Sequence, residues 1–223
     1  RDRRLRIGSV TSTKLRAPEP RAATSPDELV DRVFVALLRG ELDRGDLGAR
    51  RLAEWLGAST MVLYHHFGSL EGFLIRVDGR GWRRMLSELA ARDAAGGSLA
   101  DVALAYFDFA LAHPDLYWLM AERRFDRPEL SRQNRLSLGP LLWGSFVSLV
   151  ERHGGAAVDA QLLFATLHGL VSLHASGRGN LGESPVEART LARAAIERLV
   201  ERLVAKPEAE GMRASSRPRR RTT

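Results

Sequence analysis

The segment LGARRLAEWLGASTMVLYHHF, from Leu47 to Phe67, carries the clearest structural pattern in the N-terminal part of this chain. Apolar residues recur at helical spacing on both sides of Gly57, and a glycine there suits a left-handed helix stop. The pattern predicts two short helices, 49–56 and 60–67, with Ser59 as the cap of the second. Two short helices joined by such a turn form a helix-turn-helix, which presents its second helix to the major groove of DNA.

A further helix is predicted on each side of this motif. Ser25 begins the first, because serine can cap a helix, Pro26 suits the first helical position and Glu28 completes a capping box. Ser69 begins the other, which is expected to run to about Arg92. The first of these helices and the two of the motif would form a three-helix head. A purely structural three-helix knot is the alternative interpretation.

The rest of the chain also predicts helices and no strand, because its apolar residues recur at helical rather than alternating spacing. The predicted fold class is therefore all-α, with an N-terminal helix-turn-helix head and a larger C-terminal helical bundle. The helices expected in the bundle span 98–112, 114–123, 128–153, 156–176 and 184–205.

The basic charge of the chain is concentrated at its two ends. Residues 1–21 carry a net charge of +5 and residues 206–223 one of +4, which leaves −2 of the total +7 for residues 22–205. Basic ends are attracted to polyanions, most often nucleic acid, although they can also be solubilising or added segments. Lysine is nearly absent beside abundant arginine, alanine and glycine, which is typical of a high-GC bacterium.

Several classes of chemistry are not expected from this sequence. It has no cysteine, which excludes disulfides, thiolate metal sites and cysteine nucleophiles. The six histidines lack the spacing of a helical zinc site, and no G-x-S-x-G elbow or P-loop occurs. The G-x-G-x-x-G match at 177–182 follows a helix instead of a strand, so it predicts a loop. We therefore expect no enzyme activity, no metal and no cofactor.

Membrane insertion is not expected either. The N-terminus lacks the apolar segment of a signal peptide, although an arginine-rich start is also compatible with a transit peptide. The longest uncharged stretch, 160–177, contains glutamine, threonine, serine and histidine, so it predicts a buried helix and not a span. We expect a cytoplasmic protein.

The end of the second motif helix, Leu63-Tyr64-x-His66-Phe67, followed by a Gly-Ser turn and an apolar helix, resembles the head of the tetracycline-repressor-like (TetR) family of bacterial transcription regulators. The resemblance covers about 25–77, and a His-Pro turn at His113 and a His-Gly pair at His168 are similar to one C-terminal subtype. It implies a homodimer, palindromic double-stranded DNA as partner, and a small-molecule effector bound in the bundle. The expected organisation is a basic arm (1–24), a DNA-binding head (25–70), a ligand-binding and dimerisation body (71–205) and a basic tail (206–223).

The resemblance also implies which residues contact DNA. Thr60 and Met61 would face base edges, whereas the other contacts would position the helix on phosphate. The expected set is Arg50, Ser59, Thr60, Met61, Tyr64 and His65. The family commonly has threonine near Gly48 and lysine at Leu70, and residues 25–78 carry a net charge of −3. We expect the arginine-rich arm to supply the missing positive charge.

Aromatic residues and one histidine are the candidate lining of an effector pocket in the body. Large aromatic side chains around a few polar groups suit a small amphipathic or apolar molecule, although they can equally fill the core. The candidates are Phe107, Tyr117, Met120, Trp143, Phe146, Phe164 and His168. The last two helices have long apolar faces, with Leu162, Leu167, Leu170, Val171 and His174 on one and Leu191, Ala195, Leu199 and Leu203 on the other. By resemblance they form an intersubunit four-helix bundle; burial within one chain is the alternative.

These features predict a homodimeric DNA-binding transcription regulator, a repressor released from its operator by an effector. One alternative is a DNA-binding adaptor that needs no ligand. Another is a helical small-molecule-binding protein or enzyme with a vestigial head.

Overall fold

The computed structural model describes residues 25–133, 138–179 and 184–205, and every regular element within them is a helix, which confirms the all-α prediction. The head consists of α1 (Pro26–Leu38), α2 (Ala49–Leu56) and α3 (Thr60–Phe67), with a 3-10 turn at Arg44–Asp46. The body consists of α4 (Leu70–Ala94), α5 (Leu99–Ala112), α6 (Pro114–Tyr117), α7 (Arg127–Arg132), α8 (Leu138–Arg152), α9 (Ala157–Ala175) and α10 (Pro185–Val204).

Local sequence signals set the ends of the head helices. The Ser25 hydroxyl accepts a hydrogen bond from the Glu28 amide at 3.2 Å, as the capping pattern predicts. Gly57 ends α2 at a φ of 67°, in the left-handed region that favours glycine. Ser59 occupies the N-cap position of α3, but among the described residues its side chain makes no cap hydrogen bond. The bounds of α2 and α3 agree with those predicted.

The inner sides of α2 and α3 close on a small apolar core. Leu52, Leu56 and Leu63 are at most 2% exposed. The Phe67 ring packs edge-on against Phe73 of α4, with 5.0 Å between the ring centroids. Fully burying a large apolar side chain contributes about 1.5–3 kcal/mol. This packing, more than helix propensity, stabilises α3, because an isolated helix of eight residues is too short to be stable.

Helix α4 connects the head to the body. The Ser69 hydroxyl accepts a hydrogen bond from the Gly72 amide at 2.9 Å at its start, and the helix then packs against α1, α5 and α8. Two of its glycines allow neighbours to approach closely. A Cβ at Gly72 would lie 2.3 Å from the Phe67 carbonyl oxygen, and one at Gly81 would lie 2.5 Å from the sulfur of Met120. Neither position has room for a side chain.

The single helix expected over 128–153 is wrong. It is two helices, α7 and α8, and α7 ends at Arg132 with Gln133 as its C-cap. Pro140 explains the break, because in a continuous helix its ring would clash with the carbonyl four residues earlier and it has no amide hydrogen to donate. In α8 it lies in the first turn, where an amide needs no helical partner. The helix expected over 114–123 begins as α6 and continues as a wider π turn, Trp118–Glu122.

Helices α9 and α10 carry apolar residues on two sides. Leu162 of α9 and Leu191 of α10, both on the expected apolar faces, are 49% and 60% exposed. Two other residues of the expected face of α9, Leu167 and Val171, are instead buried within the chain, so that face is only partly free. The buried residues of the two helices are Ala160, Leu163, Leu167, Val171, Ala188, Ala192, Ile196 and Val200. The described chain leaves other large apolar side chains of these two helices exposed.

Within the described ranges, no single helix is long and apolar enough to cross a membrane. Helices α8 and α9 pass that test only as a pair, and the pair is bent by 110°. The same ranges contain no group of three or more His, Asp or Glu side chains that could hold a metal ion.

Candidate DNA interface and effector cavity

The outward side of α3 carries most of the residues predicted to contact DNA. Met61 is 70% exposed and Tyr64 is 44% exposed. Thr60 is half-buried at the start of the helix, and the other three predicted residues, Arg50, Ser59 and His65, are exposed. All six therefore lie at the surface of α2, α3 and the turn between them, while the opposite side of α3 packs into the head.

Two arginines of the head that are outside the predicted set already have partners. Arg51 is paired with Asp46 at 3.1 Å, and the Arg32 guanidinium lies over the Trp55 ring at 5.6 Å. Arg50 is the exposed arginine of the predicted set. The arm and the tail, which carry the net positive charge of the chain, lie outside the described residues.

Helix α7 links the end of α3 to α4. The Gln133 side-chain nitrogen donates to the Phe67 carbonyl oxygen at 2.8 Å and to the buried Glu129 carboxylate at 3.0 Å. Arg76 of α4 donates to the Gln133 side-chain oxygen at 3.3 Å. Sequence analysis missed this group, which we call the α7 joint, because its partners are 57 and 66 residues apart and no local pattern connects them.

Ion pairs link the head to the body at two further points. Arg44, in the turn before α2, donates from its side chain to Asp115 of α6 at 3.1 Å and from its backbone amide to the same oxygen at 3.3 Å. Arg80 of α4 pairs with Asp27 and Asp31 of α1 at 3.1 and 2.7 Å. These pairs are partly exposed, so each contributes little stability but fixes an orientation.

A cavity of about 210 Å³, here called the apolar cavity, lies in the body between α4, α5, α8 and α9. Three of the predicted ligand residues line it: Trp143, Phe146 and Phe164. Sequence analysis missed Tyr106, Leu142 and the wall from α4, although that wall follows helical spacing. The α4 residues are Trp82, Met85, Leu86 and Leu89. None of these nine lining residues is charged.

Two predicted ligand residues take part in packing away from the apolar cavity. Phe107 is fully buried and its ring meets the His174 ring edge-on, 5.4 Å between centroids. Met120 packs against Gly81 of α4. Both positions belong to the interior that the apolar pattern predicts, but they lie outside the cavity wall.

The other two predicted residues, Tyr117 and His168, form a hydrogen-bonded chain with Tyr106. The two tyrosine hydroxyls lie 2.9 Å apart, and the Tyr117 hydroxyl is 2.8 Å from His168 Nδ1. Burial raises the pKa of Tyr106 to about 12, and burial also raises the pKa of Tyr117. Both hydroxyls therefore keep their protons near neutral pH and can serve as donors.

Comparison with known families identifies the body. Residues 99–203 match the family described as "Tetracyclin repressor-like, C-terminal domain". This part of the chain belongs to the tetracycline-repressor-like family. This match lies in the body, whereas the sequence motif that resembles the same family lies in the head.

Two solved structures share the fold of this chain. A protein with unknown function from Rhodococcus sp. RHA1 is 24% identical, with a TM-score of 0.56, over 84% of this chain and 99% of that chain. A variant of TetR from Acinetobacter baumannii AYE, in complex with minocycline, is 19% identical, with a TM-score of 0.50, over 79% of this chain and 98% of that chain. At these identities the likeness shows the fold alone.

A relative with a different activity also matches this chain. The bifunctional uridylyltransferase/uridylyl-removing enzyme of Azospirillum brasilense is 31% identical over 163 residues, or 71% of this chain. The chain spans only 16% of that enzyme's length. Because so small a share of the enzyme is matched, its activity forms no part of the function proposed below.

Proposed function

We propose that this protein is a homodimeric, sequence-specific DNA-binding transcription regulator, a repressor that leaves its operator when a small-molecule effector binds. The observation that carries the proposal is the outward side of α3, where Met61 and Tyr64 are exposed although Leu63 and Phe67 anchor the helix from behind. Such a protein needs no cofactor or metal, catalyses no reaction and acts in the cytoplasm.

In the proposed complex α3 lies in the major groove. The Thr60 hydroxyl and methyl and the Met61 side chain meet base edges, whereas Ser59, Tyr64, His65 and Arg50 contact phosphate and hold the helix in register. Because the Thr60 hydroxyl can bond several bases, selectivity comes from two copies of α3 on a palindrome and not from one helix alone.

Exposed apolar residues on α9 and α10 support the proposed homodimer. Leu162 and Leu173 of α9, and Val186 and Leu191 of α10, are between 45% and 76% exposed. Several exposed large apolar residues on two paired helices are typical of an interface. Two such pairs related by a two-fold axis would form an intersubunit four-helix bundle, with each copy covering exposed apolar residues of the other.

Helix α4 provides the proposed coupling between effector and DNA. It begins directly after α3, and further along the chain Trp82, Met85, Leu86 and Leu89 of the same helix line the apolar cavity. An effector that binds better when this wall is displaced would favour one orientation of α4 over another. Because the α7 joint ties α4 to the end of α3, that change would alter the spacing of the two recognition helices.

The direct test is selection of bound sequences from random DNA with purified protein at a stated salt concentration. We expect an enriched palindrome. Thr60→Ala should change the base preference at one position of the site by about 1–3 kcal/mol at most. Tyr64→Phe should instead weaken binding to all DNA sequences alike. Glu201→Ala, an exposed position on α10, is the control and should select the same palindrome.

Three results would contradict the proposal. No enrichment with the unaltered protein would exclude sequence-specific binding. An unchanged preference with Thr60→Ala would exclude the assigned base contact. A palindrome that no metabolite mixture releases would favour the ligand-independent adaptor.

A further inference from the structure

A second cavity of about 170 Å³, here called the polar cavity, lies between α5, the α6 turn and α9. Its lining includes Arg44 from the head and Tyr117, Glu122 and His174 from the body. It thus contains charged and polar side chains, whereas none of the described residues that line the apolar cavity is charged.

The two cavities follow each other along the same pair of helices. On α5, Tyr106 lines the apolar cavity and Ala110 the polar one; on α9, Phe164 and Val171 do the same. The hydroxyl of Tyr106 meets that of Tyr117, which lines the polar cavity, at 2.9 Å. One member of this hydrogen-bonded tyrosine pair therefore lies in the wall of each cavity.

We propose that the effector is an elongated amphipathic molecule that occupies both cavities, with an apolar body in the apolar cavity and a hydrogen-bond-donating end, an amine or a hydroxyl, in the polar cavity. The inference rests on the proposed function, in which an effector binds in the body. Each cavity alone is smaller than the roughly 300–1,000 Å³ of typical ligand sites, and the two joined fall within that range.

The apolar cavity selects an uncharged group. Its described wall has no charged residue, and the indole nitrogen of Trp82 already donates to the Met120 carbonyl oxygen at 3.3 Å. A charged end placed there would lose its hydration without a partner, which is costly. An aromatic ring or alkyl chain instead gains contact with the surrounding leucine and aromatic side chains.

The polar cavity has hydrogen-bond acceptors to offer. His174 Nδ1 donates to the Leu170 carbonyl oxygen at 2.8 Å, so Nε2 of the neutral ring is an acceptor. That buried nitrogen has no hydrogen-bond partner among the described residues. The Glu122 carboxylate accepts one bond, from Ser172 at 3.0 Å, and has further acceptor capacity. The Arg44 cation is already paired with Asp115, so a donor fits this cavity better than an anion.

Joining the cavities breaks one hydrogen bond, that between the tyrosine hydroxyls. Tyr117 keeps its bond to His168, and a single neutral hydrogen bond contributes only modest net stability. Since Arg44 lies in the turn before α2, the polar end of the effector would also touch the link between head and body. Occupation of the polar cavity would then act on the head directly, in addition to the displacement of α4.

The test uses the full chain and three probes of the same ring: ethylbenzene, 4-phenylbutylamine and 4-phenylbutyrate. Binding is measured by calorimetry and by the fluorescence of Trp82 and Trp143, which line the apolar cavity. The amine should bind at least about tenfold more tightly than ethylbenzene, because it buries additional methylene groups. The butyrate should bind more weakly than the amine.

Two glutamate variants assign the polar end. Glu122→Gln should weaken binding of the amine by about three- to fivefold, as expected for a partly exposed ion pair. It should leave the affinity for ethylbenzene unchanged. Glu197→Gln, an exposed position on α10 outside both cavities, is the matched control and should change neither.

Each contrary result has a separate meaning. Equal affinities for the amine and ethylbenzene would overturn the two-cavity inference but leave the proposed function intact, with the effector confined to the apolar cavity. Equal binding of butyrate and amine, unaffected by Glu122→Gln, would overturn the assignment of a donor. If no probe bound, the inference would fall together with the proposed effector site, while DNA binding would stand or fall on the sequence selection.

Discussion

The head and the body assemble their candidate sites in different ways. The six residues predicted to contact DNA lie on two short consecutive helices and the turn between them. Residues that are close in the sequence are therefore also close on this surface. The apolar cavity is instead built from α4, α5, α8 and α9, which are far apart in the chain. The DNA interface therefore depends on a small local core, whereas the cavity depends on how whole helices pack.

The sharpest test of this contrast is Leu63→Ala. Leu63 is fully buried behind α3, and removing such a side chain costs about 2–5 kcal/mol because a cavity remains. We expect DNA binding to be abolished and the melting temperature to fall, while tryptophan fluorescence still reports a folded apolar cavity. Loss of the cavity as well would show that head and body fold as one unit and that the contrast is only apparent.

Met61→Ala is the control, on the same helix and of similar size. Met61 is 70% exposed, so its removal should leave thermal stability within about 0.5 kcal/mol while still reducing DNA affinity. Equal destabilisation by both variants would mean that the outward side of α3 is packed and not a free surface.

Gly72→Ala tests the link between the two regions. The added Cβ would lie 2.3 Å from the Phe67 carbonyl oxygen and 2.4 Å from the Gln133 side-chain nitrogen, inside the α7 joint. We expect a loss of about 1–3 kcal/mol in chemical denaturation, together with weaker DNA binding, because the start of α4 must shift. Gly144→Ala on α8 meets nothing within 4 Å and should be neutral or stabilising. If Gly72→Ala left stability and DNA binding unchanged, the residues of the α7 joint would be able to shift and accommodate the added methyl group without loss of stability.

Sequence patterns were sufficient for the head because its signals are local. A capping serine at Ser25, the stop at Gly57 and apolar residues at helical spacing determine α1 to α3, and the bounds of α2 and α3 were predicted to the residue. Even here the pattern failed in one detail. Ser59 holds the cap position, but nothing in its sequence context shows that its hydroxyl makes no cap hydrogen bond.

The body was predictable only as a set of helices. Aromatic composition identified Trp143, Phe146 and Phe164 as lining residues, but it could not separate them from Phe107, which fills the core instead. That distinction depends on the rotation of each helix about its axis. The α7 joint was missed for a related reason, since Gln133 meets Phe67 only through the fold.

Removal of residues 1–21 tests whether the arm supplies the positive charge for DNA binding that the acidic head lacks. These residues contain seven arginine or lysine side chains and two acids. We expect affinity for DNA to fall about tenfold near 0.1 M salt, and the slope of log affinity against log salt to flatten by about 0.9 for each phosphate that the arm no longer neutralises. Deletion of residues 206–223, with six cations and two acids, is the matched control at the far end. Equal effects of both deletions would mean that the arm acts through its net charge and not because it directly precedes the head in the sequence.

The smallest expected effect is a loss of stability at alkaline pH that arises in the body and not in the head. The pKa of Tyr106 is raised from 10.0 to about 12 by burial, so folding favours its protonated form. The corresponding stability is fully present below pH 10 and is lost as pH rises towards 12; at a pH near 10.5 this loss is about 1 kcal/mol.

Tyr106→Phe should therefore lose less stability than the unaltered chain between about pH 9 and 10.5, by roughly that amount. At pH 7 the variant shows only the cost of the missing hydrogen bond to Tyr117, about 1 kcal/mol. Tyr64→Phe, at an exposed position of the head, should leave the alkaline loss unchanged. If the two variants behaved alike, the tyrosine pair would not be sealed from solvent, and the partition between the apolar and polar cavities would already be open without an effector.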